Sequence, residues 1–446
     1  MLTRPTEQTL SMVCSQWRRI ALRTPEIWSL IPPSCSSSKQ STMISAYIER
    51  SRDRPVDLYL NLSSEISSAP LLFLLTRHSL RWRSISVCCN SLDSQNIFTS
   101  TGLVPILSQT TRLEHFSLLT LEELDPDDAD RLHVTVLKTP RVLSPKPISI
   151  SALRLQDQGS MLFPYSIDRV TTLHVEQYLK DQIRPVPYLG ELSSSLVNLS
   201  IHGCFEFNPA GSLSMPQLVS LRYCGGRELG GLLSCLHAPL LESFVLKNLR
   251  DNHIREFLDR VSDLTAWNDY KFPALYHLTL DHTTLSKRTM SRLFIEFNSV
   301  TQFDYINSEA EDVLGLLSGD GMEAELPLPY LETLSIHYFR LDSGTEPHIA
   351  LSHLLTSRTL KANRPLTKLR VHSNVPLPAK FWSVELMRWS ELCPWPRERE
   401  YPDLHDPFMA LSQPPLPVMI QNDWIPILAG SKRKKDKTSR KIYDWR

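Results

Sequence analysis

The stretch Phe272-Pro273-Ala274-Leu275-Tyr276-His277-Leu278-Thr279-Leu280-Asp281 decides the fold. Leu275, Leu278 and Leu280 are spaced L-x-x-L-x-L, and the residues beside the last two, His277, Thr279 and Asp281, are polar. Successive side chains of a strand point to opposite faces, so this segment has one apolar and one polar face.

The cassette returns along the chain. It stands at Leu113-Phe116-Leu118, Ile150-Leu153-Leu155, Val170-Leu173-Val175, Leu196-Leu199-Ile201 and Leu218-Leu221-Tyr223. It continues at Leu241-Phe244-Leu246, Val300-Phe303-Tyr305, Leu331-Leu334-Ile336 and Leu366-Leu369-Val371. Successive copies lie roughly 20 to 37 residues apart, which is leucine-rich-repeat spacing with insertions. Between them run helical stripes: Leu229, Leu232, Leu233 and Leu236; Ile254, Phe257, Leu258, Val261 and Leu264; Met290, Leu293, Phe294 and Phe297; Ala310, Val313, Leu314 and Leu317. Strand then helix, repeated, predicts an α/β chain forming an irregular solenoid of parallel strands with outer helices. The alternative is a compact α/β domain with leucine-rich strands.

In a solenoid the residues flanking the apolar positions face solvent on the concave side. Those residues are Asn198, Ser200 and His202; Arg222; His277, Thr279 and Asp281; Ser335 and His337; and Lys368, Arg370 and His372. They form the candidate substrate face, with Val245 and Ile306 as apolar exceptions. A regular leucine-rich repeat places Asn or Cys three residues after the last Leu. Only Cys204 and Asn374 match, so the array is expected to be irregular.

Ahead of the array, Leu10, Val13, Cys14, Trp17, Ile20 and Ala21 fall on one face of a helix, which Thr24-Pro25 ends before Trp28, Leu30 and Ile31. The string V-C-x-x-W-R-x-I-A-L-x-T-P-x-x-W-x-x-I resembles the second half of an F-box, in the form found in the expanded F-box families of mushroom-forming fungi. The helical L-P-x-E-[IL] segment that opens an F-box has no counterpart here. The resemblance implies a substrate-recognition subunit docking on a Skp1-type adaptor of a cullin-linked ubiquitin ligase. An unknown protein substrate would be held on the repeats. Val13, Cys14, Trp17, Ile20, Pro25 and Trp28 are its candidates for F-box packing or adaptor contact. The alternative is a repeat scaffold with a degenerate F-box and no ubiquitin link.

The expected organisation is a partial F-box over 1–31, a linker and short helix over 32–54 and the repeats over 55–373. A C-terminal cap and proline-rich loop over 374–430 and a basic tail over 431–446 follow.

Composition narrows the function further. The 446 residues carry 48 Lys+Arg and 48 Asp+Glu, so no whole-protein field points to nucleic acid as a partner. The eight cysteines form no C-x-x-C pair and read as reduced thiols, which places the chain in the cytoplasm, the nucleus or both. The longest apolar runs, such as Ala69 to Leu75, are short of the roughly 18 to 20 residues that span a bilayer.

Asp125-Pro126-Asp127-Asp128-Ala129-Asp130 lacks the glycine and bidentate Glu of a calcium loop, and reads as a solvated acidic loop. Gly225-Gly226-Arg227-Glu228-Leu229-Gly230-Gly231 fits no phosphate-binding spacing and reads as a strand-to-helix turn. No catalytic or metal-binding spacing is present, so neither an enzyme nor a cofactor is expected. The run Lys432-Arg433-Lys434-Lys435-Asp436-Lys437 reads equally as a nuclear-import signal or weak nucleic-acid contact, and as a solubilising tail.

Overall fold

The computed structural model describes residues 11–31, 37–61, 76–89, 107, 110–120, 150–156, 167–177, 184–186, 189–203, 205–207, 212–225, 229–265, 272–307, 310–319, 326–337, 347–362, 364–372 and 390–391. The run 69–75, the acidic loop, Cys204, Asn374, the cap and proline-rich loop apart from residues 390–391, and the basic tail lie outside them. The described residues up to Arg112 fall in one compact unit, and those of 113–119 and 150–391 in another. The division falls inside the 55–373 stretch. The fold is mixed α/β with large parallel sheets and no closed barrel.

In the first unit, helix α1 (Ser15–Arg23) is followed by a 3-10 turn (Pro25–Trp28), strand β1 (Leu30–Ile31), helix α2 (Ser37–Ser51) and strands β2 (Val56–Asn61) and β3 (Trp82–Cys89). The strands pair in parallel in the order β1-β2-β3. Trp28 is fully buried with Ile31, Ile44, Tyr47, Trp82, Ile85 and Val87. Its indole Nε1 donates to the Ala21 carbonyl at 2.7 Å, tying the end of α1 to this core. The Arg81 guanidinium donates to the carbonyls of Ile48 and Arg54, each at 3.1 Å, and to the Ser51 hydroxyl at 2.6 Å. It thereby ties the last turn of α2 and the chain just after it to the start of β3.

The N-terminal helix departs from the single stripe expected over Leu10 to Ala21. Residues 11–13 are helical, but Cys14 is extended (φ −157°) and serves as the N-cap of α1, its Sγ accepting from the Trp17 N–H at 3.5 Å. The break divides the stripe into two short pieces. Packing therefore falls to Ala21, while Val13, Trp17 and Ile20 stand 62%, 47% and 50% exposed.

The second unit holds β4 (His115–Thr120), β5 (Ala152–Gln156), β6 (Thr172–Gln177), β7 (Arg184–Pro185), β8 (Asn198–Gly203), β9 (Phe205–Glu206) and β10 (Leu213–Ser214). Next come β11 (Ser220–Cys224), β12 (Leu236–His237), β13 (Ser243–Lys247), β14 (His277–Asp281), β15 (Gln302–Ile306), β16 (Thr333–His337), β17 (Lys368–His372) and β18 (Ser390–Glu391). Its main sheet is parallel and runs β4-β5-β6-β8-β11-β13-β14-β15-β16-β17-β18. The short strands pair separately, β7 with β9 and β10 with β12. Helices α3 (Leu189–Leu192), α4 (Leu229–Cys235), α5 (Asp251–Thr265), α6 (Lys287–Glu296), α7 (Glu311–Leu317) and α8 (Pro347–Lys361) lie between strands in sequence.

The register repeats without slippage from β4 to β17. Phe116, Leu153, Leu173, Leu199, Leu221, Phe244, Leu278, Phe303, Leu334 and Leu369 stand side by side in one row. Leu118, Leu155, Val175, Ile201, Tyr223, Leu246, Leu280, Tyr305, Ile336 and Val371 form a second row on the same face. All are buried, as are the opening residues of the cassettes, from Leu113 to Leu366. Each such side chain contributes about 1.5–3 kcal/mol by leaving water. The helices pack on this face, as the ring of Phe294 in α6 shows by meeting Phe303 of β15 at 5.2 Å between centroids.

Two backbone devices recur with the repeat. At the start of each strand one carbonyl accepts two N–H groups of the next: Val219 O takes those of Glu242 and Ser243, and Thr301 O those of Glu332 and Thr333. Directly after β11, β13 and β14 stand Gly225, Asn248 and His282, all with φ near +50°. Their N–H groups donate to Lys247 O, Asp281 O and Ile306 O at 2.8–2.9 Å. This left-handed step takes up a backbone donor at the position where the strand ladder ends.

Arg358 of α8 is wholly buried without a carboxylate beside it. Its Nη1 donates to the carbonyls of Leu317 at 3.3 Å and Pro327 at 3.0 Å, and Nη2 donates to Leu328 O. Leu328 has φ +49°, so the guanidinium clamps a strained turn between α7 and β16. Burial brings the Arg358 guanidinium down to about 10.

Candidate functional site

Opposite the helices, the main sheet of the second unit presents three polar rows. The middle row, between the two apolar ones, reads Arg154, His174, Ser200, Arg222, Val245, Thr279, Asp304, Ser335 and Arg370 from β5 to β17. The row toward the strand ends reads Gln156, Glu176, His202, Cys224, Lys247, Asp281, Ile306, His337 and His372. The row at the strand starts includes Asn198, His277, Gln302 and Lys368. Every residue expected on the substrate face therefore belongs to one surface.

Its depth differs from expectation. Asn198, His202, Arg222, Lys368 and Arg370 are half-buried, whereas Ser200, His277, Thr279, Asp281, Ser335 and His337 are buried outright. Strands about 4.8 Å apart bring polar side chains of one row shoulder to shoulder, and they shield one another from water. Such burial is tolerable only where the groups bond among themselves. His372 pairs in register with His337.

Two clusters carry that bonding. In the first, Arg154 Nη2 donates to Glu176 Oε1 at 2.6 Å, and His174 Nε2 bonds the same oxygen. Burial alone would push the Glu176 carboxyl up. The His174 hydrogen bond and the Arg154 charge more than offset it, bringing it down to about 2. Burial holds His174 and His202 below the usual imidazole value, with Arg154 adding to the effect at both. Glu176 is thus a carboxylate held between the Arg154 guanidinium and the His174 imidazole.

In the second cluster, His277 Nε2 bonds Asp304 Oδ2 at 2.7 Å, and the Ser243 hydroxyl lies 3.3 Å from His277 Nδ1. Asp304 is only 2% exposed. Burial would raise its carboxyl, but the bond and charge of His277 outweigh that and lower it. Beside this cluster Lys247 Nζ pairs with Asp281 Oδ2 at 2.7 Å, and His282 Nδ1 meets Asp281 Oδ1 at 2.5 Å.

Arg154, His174, Glu176 and Asp304 are absent from the substrate-face residues expected from sequence. They occupy the flanking positions of the Ile150, Val170 and Val300 cassettes, so the same alternation rule would have found them. Among the described residues, no group of three or more His, Cys, Asp or Glu is arranged to hold a metal ion. No described helix is long and apolar enough to cross a membrane.

The N-terminal candidates separate. Trp28 is buried and Pro25 half-buried, while Val13, Cys14, Trp17 and Ile20 are exposed. No protein-family model matches the chain, and no curated protein matches it either.

Proposed function

We propose that the chain is an F-box-like substrate receptor: a partial F-box helix offered to a Skp1-type adaptor, followed by an irregular leucine-rich-repeat solenoid that holds a protein substrate. The observation that carries this reading is the exposure of Met12, Val13, Trp17 and Ile20 within nine residues of sequence, just ahead of the buried Trp28 anchor. Exposed apolar side chains gathered on one folded segment favour a protein partner. Trp at such a position is the residue type most enriched among interface anchors.

The solenoid reading draws on the unbroken register of alternating apolar and polar rows and on the recurring carbonyl and left-handed devices. In this reading the chain performs no chemistry. It holds its substrate near a ligase and raises the local concentration of the reacting groups. Its working compartment is the cytoplasm, the nucleus or both.

The test is co-purification of the full chain with a Skp1-type adaptor, alongside the double variant Trp17→Ala, Ile20→Ala. The expected result is a complex at micromolar concentration that the double variant loses while keeping its thermal transition. A full chain that forms no such complex would instead be a repeat scaffold with a degenerate F-box.

A further inference from the structure

We propose that the polar face of the main sheet takes an acidic peptide segment, rich in Asp and Glu, as its partner. The inference rests on the reading of this sheet as a protein-binding platform and deepens it by giving the partner a charge.

The argument is one of depth. Among the described residues, the three polar rows carry from β5 to β17 the cations Arg154, Arg222, Lys247, Lys368 and Arg370 and the anions Glu176, Asp281 and Asp304, with Glu391 of β18 in register beside Arg370. The anions are sunk: Glu176, Asp281 and Asp304 are 5%, 9% and 2% exposed. Each already serves a partner within the sheet, Arg154 and His174 for the first, Lys247 and His282 for the second, and His277 for the third. The cations reach higher. Lys247 keeps 40% of its side chain exposed, and Arg222, Lys368 and Arg370 are half-buried, with Arg154 alone held deep at 14%. A body laid on this face therefore meets positive charge first, and the negative charges below are screened by their own partners.

This sign is local. The whole chain has 48 basic and 48 acidic side chains, so the face owes nothing to an overall excess. Arg222 pairs with Val245 and Lys247 with Cys224, so the two cations stand on a diagonal of about 8 Å across neighbouring strands, within reach of acidic side chains of one segment.

Nucleic acid would also meet the cations, but the rows argue against it. From β5 to β17 they contain no Phe, Tyr or Trp, and the imidazoles of His174, His277 and His337, which could also stack on a base, are buried. A polypeptide bearing carboxylates needs only the charges and donors present.

The test uses the full chain and fluorescence anisotropy with a labelled peptide of alternating Asp and Glu. Its Asn/Gln counterpart, a phosphoserine peptide of the same length and a single-stranded DNA serve as comparisons. The acidic peptide is expected to bind, to weaken as salt rises and to outbind the other three. The double variant Arg222→Gln, Lys247→Gln should weaken it about tenfold or more, since each lost charge-assisted bond is worth about that factor. An unchanged thermal transition would show that the variant still folds.

Equal binding of the Asn/Gln peptide, an unaffected Arg222/Lys247 variant, or binding confined to the phosphorylated peptide or to DNA would overturn the proposal. The Trp17→Ala, Ile20→Ala variant should bind the acidic peptide as tightly as the parent chain. Peptide binding without adaptor binding leaves this inference standing and removes the receptor reading. Adaptor binding without peptide binding does the reverse.

Discussion

The Trp28 indole meets the Tyr47 ring edge-on, their centroids 5.2 Å apart. The Arg50 guanidinium lies 4.4 Å from the centre of the same indole. With its Nε1 on the Ala21 carbonyl, Trp28 holds α1, the 3-10 turn and α2 together from one buried position. Trp28→Ala should cost about 3–5 kcal/mol, the range for emptying a large buried aromatic site. Trp17, nearly half exposed, should cost within about 0.5 kcal/mol when truncated. Denaturant midpoints of the two variants, compared at equal m-value, decide this. Equal losses would return Trp17 to the core.

Acid should loosen the second unit in two stages. Burial keeps His174 and His202 below the ordinary 6.5 of a free imidazole. The unfolded chain therefore binds protons that the folded chain refuses as pH falls below about 6.5, and stability begins to decline there. Glu176 follows. Its ordinary value is 4.5 and the fold holds it at about 2, so its contribution is present above 4.5 and is lost between those two values. That contribution is about 3 kcal/mol. Thermal transitions recorded from neutral pH downward should fall along this course. Glu176→Gln should flatten the lower stage and deepen the upper one, because Glu176 is the charge that counters burial at His174 and His202. A variant whose acid profile matches the parent would separate Glu176 from the effect.

The strands were legible because each carries its own pattern. Leu275, Leu278 and Leu280 with His277 and Thr279 contain both faces of β14 within six residues, and no distant partner is needed to read them. The buried clusters were not legible for the opposite reason. Arg154 and Glu176 lie 22 residues apart, and His277 and Asp304 lie 27 apart, so each pair exists only once neighbouring strands fix the register. The left-handed step after the strands is filled by Gly225, Asn248 and His282, which share a backbone conformation and no side-chain chemistry. Only the first two are residue types that turns commonly favour. The break at Cys14 escaped the helical stripe because apolar spacing does not record where a helix restarts.

Gly203 is a position where a methyl group should matter. It closes β8 at φ +108°, and a Cβ there would stand 2.0 Å from the Gln177 carbonyl oxygen on β6. Backbone, not a flexible side chain, is in the way. Gly203→Ala should therefore cost about 3 kcal/mol or more through strain and displacement of the β6–β8 pairing. Gly190 in α3 has nothing within 4 Å of its Cβ position, so Gly190→Ala should be neutral or slightly stabilising. Differential scanning calorimetry of the pair checks this. A mild Gly203→Ala would mean that β6 and β8 can part without cost.

Arg358 separates charge geometry from volume in a site with no acid to neutralise it. Its two terminal nitrogens serve the carbonyls of Leu317, Pro327 and Leu328, which join the end of α7 to the turn before β16. Met fills similar space but donates nothing, so the Leu317 and Pro327 carbonyls lose this donor at about 1–3 kcal/mol apiece, while Leu328 O keeps the Leu331 N–H at 3.0 Å. Lys keeps the charge on a compact head that cannot span three acceptors in a plane. Arg358→Ala should be the least stable, since it adds a cavity to the lost bonds. Arg358→Met and Arg358→Lys should both fall between Ala and the parent, measured by urea midpoint. If Met matched the parent chain, packing volume would be what α8 supplies here, and the clamp on the strained Leu328 turn would be dispensable.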